Sequence, residues 1–148
     1  MNSPLRKQYL SFSGRPVLAH TLSSFLQCPA IQRIFLVVPE SDLAYCRERI
    51  LTRCGNPAGV ELVPGGPERQ ASVYNGLVAA GGAAEVAAIH DGVRPFVQPE
   101  LIARCIAGAL AHGACMPGIP AVDTLKQVDS DRSEERRVGK ECRSRWWP

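Results

Sequence analysis

Aromatic residues make up only 6% of this 148-residue chain, methionine occurs twice and histidine three times. Scarce aromatics leave the core to Ala, Val, Leu and Ile, and a hydrophobic fraction of 45% suits one globular domain rather than disorder. No apolar run approaches the roughly 18 residues of a membrane span, and residues 1–15 lack the basic-then-apolar order of a secretory signal. A cytoplasmic protein with no membrane contact is therefore expected. The six cysteines (Cys28, Cys46, Cys54, Cys105, Cys115, Cys142) contain no CxxC pair, and His20, His90 and His112 do not stand at ligand spacing from them. Scattered thiols of this kind read as reduced core or surface residues, not as a zinc site or disulfide framework.

An excess of one charge sign is also missing from most of the chain. Residues 1–131 hold eleven basic and eleven acidic side chains, whereas residues 132–148, RSEERRVGKECRSRWWP, hold six and three, so the net charge of +3 sits in the tail. A neutral body gives no electrostatic footprint for nucleic acid. The tail carries both tryptophans, follows neither a helical nor a strand period, and resembles the in-frame reading of a sequencing-library adapter. The chain thus divides into a domain over 1–131 and a foreign or disordered basic tail over 132–148, which is set aside.

Within the body, apolar spacing predicts alternating elements. PVLAHTLSSFLQ (16–27) places Val17, Leu18, Leu22, Phe25 and Leu26 on one helical face, with proline where its missing N–H costs nothing. RIFLVV (33–38) is a continuous β-rich run, as expected of a strand covered on both faces. Ser41 is placed to cap a second helix through Leu43, Cys46, Ile50 and Leu51. Strands are predicted over 59–63, 86–90 and, more weakly, 118–122, and helices over 69–80 and 99–112. This alternation predicts an α/β, Rossmann-like fold with a mostly parallel sheet and helices on both faces. Ligands in such sheets bind beyond the carboxyl ends of the strands.

Three polar clusters fall at such ends: PGGPERQAS (64–72), IHDGVRPF (89–96) and AVDTLK (121–126). Gly65 and Gly66 permit close backbone approach, and the helix that follows offers free N–H groups to an anion, although a plain strand-to-helix turn would have the same composition. Asp91 is placed to hold a metal or accept from a hydroxyl, and Arg94 to clamp a phosphate; a solvated Asp–Arg pair is the plainer reading. His90 reads as a packed strand residue, Thr124 as part of a polar strand end, and Lys7 alone as an exposed lysine.

Taken in order, RKQYL, GRPVLAHTL, GGPERQASVYNGL, IHDGVRPF and PAVDTLK resemble the 2-C-methyl-D-erythritol 4-phosphate cytidylyltransferases of the non-mevalonate isoprenoid pathway, over residues 1 to about 130. The resemblance implies an enzyme that joins CTP and methylerythritol 4-phosphate into a CDP-alcohol, releases pyrophosphate, uses Mg2+ or another divalent cation with CTP, and works as a homodimer. It implies that Lys7 contacts the CTP phosphates and that Gly66, Pro67 and Ser72 read the cytosine. Asp91 and Arg94 would hold the substrate phosphate and the nucleotide, and Thr124 would come from an arm that crosses to the partner subunit. No dedicated metal site is expected, Asp91 being the one candidate ligand.

The departures are as informative. The family opens with a strand and a glycine-rich AAGxGxRM loop, and Met1 stands at the last position of that motif, so the strand, the loop and its arginine are not in this chain. The dimer arm stops after Asp131. This chain is therefore expected to be inactive by itself, and the missing first strand, central in the family's sheet, to leave apolar strand edges unpaired. Gly92-Val93 replaces the commoner Ala-Ala, as in the related pentitol-phosphate enzymes, which makes ribitol 5-phosphate the alternative substrate. A non-catalytic module binding a nucleotide or sugar phosphate is the alternative from another class.

Overall fold

The structure, a computed structural model, describes residues 6–82, 84–120, 126–128 and 135–137. The chain forms two compact units, Met1–Cys115 and Met116–Pro148.

The first unit opens with a 3-10 turn, Lys7–Tyr9, followed by a small antiparallel hairpin of β1 (Ser11–Phe12) and β2 (Arg15–Pro16). Its tip uses Ser13 at φ 48° and Gly14 at φ 76°. Left-handed backbone at both central positions matches the twist of paired strands. The Ser-Gly pair was the available signal for this hairpin, which the hydrophobic pattern did not reveal. Helix α1 (Val17–Leu26) starts one residue after Pro16 and buries Leu18, Ala19, Thr21 and Leu22. Its buried stripe is narrower than predicted, since Leu26 is exposed.

Strands β3 (Ile34–Val38) and β4 (Val60–Pro64) pair in parallel, from Ile34 opposite Val60 to Val38 opposite Pro64. The crossover between them is one helical stretch of changing pitch: a 3-10 turn Glu40–Asp42, α2 (Leu43–Tyr45), a π turn Cys46–Leu51 and a 3-10 turn Thr52–Cys54. Gly55 ends it at φ 80°. Cys46 and Ile50 are fully buried, joining Tyr9, Leu18, Ala19, Leu22 and Val38 in the core. Ser41 does not cap this stretch: its hydroxyl donates instead to Asp42 Oδ1 at 3.0 Å. Ser41 lies inside the 3-10 turn Glu40–Asp42 rather than ahead of it, so its oxygen does not stand before the free first-turn amides that a cap accepts from.

Helix α3 (Arg69–Ala80) packs on β3 and β4. Gly76 makes this approach close, for a Cβ there would lie 3.0 Å from Val37 Cγ2. Helix α4 (Pro99–His112) begins on its proline and buries Ile102.

One predicted strand is absent, and the described part of another forms no ladder. Residues 86–90 make no ladder, and Ile89 is 56% exposed. Ala87 and Ala88 have weak strand preference, and among the described residues β3 and β4 pair only with each other, so the apolar run has no described partner to hydrogen-bond. For the same reason β3 is less covered than its apolar sequence predicts: Ile34 to Val37 are half-buried and only Val38 is buried. Residues 118–120 also form no strand, Pro117 and Pro120 each lacking a ladder donor. Residues 121–125, including Thr124, lie outside the described residues.

In the second unit, β5 (Lys126–Val128) pairs antiparallel with β6 (Glu135–Arg137). Among the described residues no helix is long and apolar enough to cross a membrane.

Candidate functional site

The loop after β4 is held tightly by its own backbone. Gly65 N–H donates to Val38 O at 2.8 Å, carrying the strand pairing one residue past β4. Gly66 N–H donates to Ser72 Oγ at 3.0 Å, Ser72 donates in turn to Glu68 O at 3.1 Å, and Asn75 Nδ2 donates to Pro64 O at 3.0 Å. The glycines are required by space: a Cβ at Gly66 would meet Ala71 Cβ at 2.4 Å, and one at Gly65 would meet Ser72 Oγ at 3.0 Å. Pro67 is exposed at the outer rim, and no side chain caps the first turn of α3.

Residues 90–92 are seated by α1 rather than by strand pairing. Thr21 Oγ1 donates to Gly92 O at 2.8 Å, and Leu18 fills the space where a Gly92 side chain would stand, 2.8 Å from Cδ1. The His90 ring lies on Phe25 with centroids 5.0 Å apart. Its Nδ1 is buried without a hydrogen-bond partner, and burial pulls the imidazole below its ordinary pKa, which keeps it neutral at pH 7. Phe96 meets Phe12 of the hairpin edge-on at 5.7 Å.

These two loops meet at Asp91. Arg69 Nη2 donates to Asp91 Oδ1 at 2.9 Å, and Arg94 Nε lies 3.1 Å from Oδ2. A tight turn, Arg94 N–H to Asp91 O at 3.1 Å, brings the second pair together. The Arg69 hydrogen bond, ahead of the charge of Arg94, holds the Asp91 carboxyl below the usual carboxylate range. One carboxylate between two guanidiniums leaves a local charge of +1. Each arginine spends one donor group on Asp91, and their side chains are 70% and 74% exposed, so further donors face solvent. Such a cluster can take an anionic oxygen in a fixed orientation.

Arg69 was not among the sequence candidates. The signal was nevertheless present: a cation in the first turn of a helix opposes the helix dipole, and α3 has no acidic residue there. A basic residue in that position is explained by a partner elsewhere, here Asp91.

Lys7 is exposed on its turn. The turn is anchored by Tyr9, whose hydroxyl donates to Asp42 Oδ2 at 2.8 Å and touches Cys46 Sγ at 3.4 Å, while Arg6 Nε reaches the same carboxylate at 3.4 Å. Burial first, then the Cys46 and Asp42 contacts, push the Tyr9 hydroxyl above its ordinary pKa. Among the described residues Lys7 makes no ion pair, so the structure joins Gly66, Ser72, Asp91 and Arg94 through Arg69 but supplies no such bond to Lys7.

The donor set does not fit a protein-held metal. Both Asp91 oxygens are engaged by guanidiniums, and among the described residues no three His, Cys, Asp or Glu side chains cluster.

Comparison with known proteins gives one family. The sequence profile described as 2-C-methyl-D-erythritol 4-phosphate cytidylyltransferase matches residues 1–140. The chain is 43% identical over 132 residues to the protein of that name from Clostridium botulinum (strain Eklund 17B / Type B), covering 89% of this chain and 58% of that one. It is 42% identical over 132 residues to the protein of the same name from Geobacter metallireducens, covering 87% and 57%. Among solved structures it resembles 4-diphosphocytidyl-2C-methyl-D-erythritol synthase from Anaerococcus prevotii, with a TM-score of 0.73, 31% identity and coverage of 88% and 56%. The fold is thus α/β and Rossmann-like. The chain spans somewhat over half the length of the curated relatives it matches.

Proposed function

Because the chain belongs to the 2-C-methyl-D-erythritol 4-phosphate cytidylyltransferase family, we propose that its loops serve the transfer of a cytidylyl group from CTP to methylerythritol 4-phosphate, with release of pyrophosphate, in the cytoplasm. The observation that carries this reading is the Arg69–Asp91–Arg94 cluster. The reaction brings a dianionic phosphate against a triphosphate. Two unit charges about 4 Å apart repel by about 4 kcal/mol at an effective dielectric near 20, so fixed cations are the main tool available to the protein.

In this reading Asp91 orients Arg94, whose remaining guanidinium donors hold the acceptor phosphate beside the nucleotide. The backbone of Gly66 and Pro67, with Ser72, meets the cytosine edge. Ser72 already binds the Gly66 amide, so its contribution to the base is to fix the loop that reads it. Lys7 neutralises charge at the α-phosphorus, and the acceptor phosphate oxygen attacks that atom in line as pyrophosphate leaves. The described residues offer no ligand set for a divalent cation such as Mg2+, which would accompany the CTP phosphates and neutralise part of their charge. Thr124 contributes to the acceptor site from an arm exchanged within a homodimer. Support comes from the family match and from the convergence of two of the three predicted clusters.

The test is binding and turnover with two acceptors. Methylerythritol 4-phosphate is expected to perturb the amide resonances of Asp91 to Arg94, and CTP those of Gly66, whereas ribitol 5-phosphate leaves both unchanged. Stronger perturbation by ribitol 5-phosphate would move the assignment to the pentitol-phosphate enzymes, and response to CTP with no response to either acceptor would favour a binding module. Pyrophosphate release by the 148-residue chain alone is expected to be a small fraction of that of a full-length relative, since its sequence holds no AAGxGxR loop to cradle the triphosphate.

A further inference from the structure

Helix α4 ends at His112, and Gly113 at φ 84° turns the chain back on it. The next cysteine, Cys115, lies flat on the helix at Gly108: a Cβ on that glycine would be 2.8 Å from Cys115 Sγ and 3.1 Å from its Cβ. Only glycine leaves room for the sulfur there. Cys105 is one helical turn earlier on the same face, where Cβ positions three residues apart are about 5–6 Å from each other. The Cys115 thiol lies near enough to Cys105 to help raise the pKa of its thiol, after the larger effect of burial. Neither thiol belongs to the cytidylyltransferase cluster around Asp91.

We propose that Cys105 and Cys115 are a dithiol modification site that closes reversibly to a disulfide when it meets a low-molecular-weight disulfide such as oxidised glutathione. A disulfide requires a short Cα separation, about 4.4–6.8 Å, and Cys115 Sγ lies over α4 at Gly108, one turn from Cys105. Exposure sets the order of events. Cys115 is exposed, whereas Cys28 and Cys46 are 2% and 0% exposed and the Cys54 thiol donates to Ala19 O at 3.8 Å. Burial raises the pKa of the Cys105 thiol, which makes it the slower first nucleophile.

The chemistry balances with that one co-reactant. The Cys115 thiolate attacks a sulfur of oxidised glutathione, forming a mixed disulfide and releasing one glutathione thiolate. The Cys105 thiolate then attacks Cys115 Sγ, breaks the mixed bond and releases the second. The protein loses two hydrogens and is oxidised by two electrons, and the glutathione disulfide is reduced to two thiols. The resulting ring spans the end of α4 and fixes the direction in which the chain leaves it.

The experiment uses the whole 148-residue chain, reduced and then exposed to oxidised glutathione with and without guanidinium chloride. Trypsin cleaves after Arg104 and Lys126, so both cysteines fall in one peptide, 105–126. Without denaturant this peptide is expected to lose two hydrogens and its reactivity to alkylation about tenfold faster than in denaturant, because folding raises the effective concentration of one thiol at the other. Cys105→Ser should instead keep one glutathione on Cys115, and Cys115→Ser should leave Cys105 largely unmodified. Equal rates with and without denaturant would overturn the proposal, as would two separate glutathione adducts or linkage of Cys115 between chains.

Discussion

Arg69 Nη2 donates to Asp91 Oδ1 at 2.9 Å, joining the loop after β4 to a loop 22 residues further along the chain. The bond is partly open to solvent, with Arg69 70% and Asp91 33% exposed on their side chains. Its value is positional more than stabilising, since exposed ion pairs contribute little to stability. It fixes a carboxylate whose other oxygen meets Arg94.

Removing the Arg69 guanidinium should therefore be read on Asp91 itself. In Arg69→Gln the carboxyl pKa of Asp91, followed by its side-chain carbon shift in an NMR titration, is expected to rise toward the ordinary value of about 3.9. The sign follows from linkage. A carboxyl depressed in the folded state stabilises above its unfolded pKa, and that contribution is lost as pH falls through the lower folded value. An Asp91 titration unchanged in Arg69→Gln would show that the hydrogen bond is not the cause.

His90 should give a second pH dependence, in a higher window. Its ring is kept neutral by burial against Phe25, so folding is favoured above the unfolded histidine pKa of about 6.5 and loses that advantage as pH falls through the lowered folded value. Replacing His90 by Leu should flatten the dependence of the urea midpoint on pH just below 6.5. Persistence of the same slope in the variant would place its origin elsewhere.

Gly66 and Gly92 should differ in their tolerance of a methyl group. At Gly92 the obstacle is Leu18 Cδ1, the end of a side chain that can turn, so Gly92→Ala should cost about 1 kcal/mol or less. At Gly66 the obstacle is Ala71 Cβ at 2.4 Å, fixed to helix backbone, so Gly66→Ala should cost about 2–3 kcal/mol. Urea unfolding of the two variants provides the comparison. Equal costs would mean that the Gly66 loop opens more easily than its hydrogen bonds to Ser72 imply.

Tyr9→Phe keeps the ring on Tyr45 but takes one donor from Asp42 Oδ2, which is left with Arg6 while Ser41 still donates to Oδ1. A loss of about 1–2 kcal/mol is expected for the missing charge-assisted hydrogen bond, with the cooperativity of unfolding unchanged. A variant as stable as the parent would show that water replaces the hydroxyl without cost.

Helix α4 was legible because its proline start and apolar period agree with what it packs against, and α3 because its apolar period is unbroken although it buries no residue. The bounds 69–80 and 99–112 read from the sequence are those observed. Residues 86–90 were misread because a strand is a property of two segments, and an apolar run in one of them cannot report whether the other is beside it. Arg69 was missed because its partner is distant in sequence. Gly66, Ser72, Asp91 and Arg94 were found as separate clusters, and nothing in their spacing gave the bond that unites them.

The sequence by itself determined the alternation of elements from α1 to α3, the neutral body and the placing of glycines where backbone must pass close. These are local properties, set by side-chain period, by charge and by the absence of a Cβ. Tertiary structure alone decided that α1 rather than a strand ladder seats residues 90–92, that Asp91 lies between two guanidiniums, and that Cys115 returns to Cys105. Each depends on the distance between atoms of different elements, and that distance is fixed only when their apolar faces have packed together.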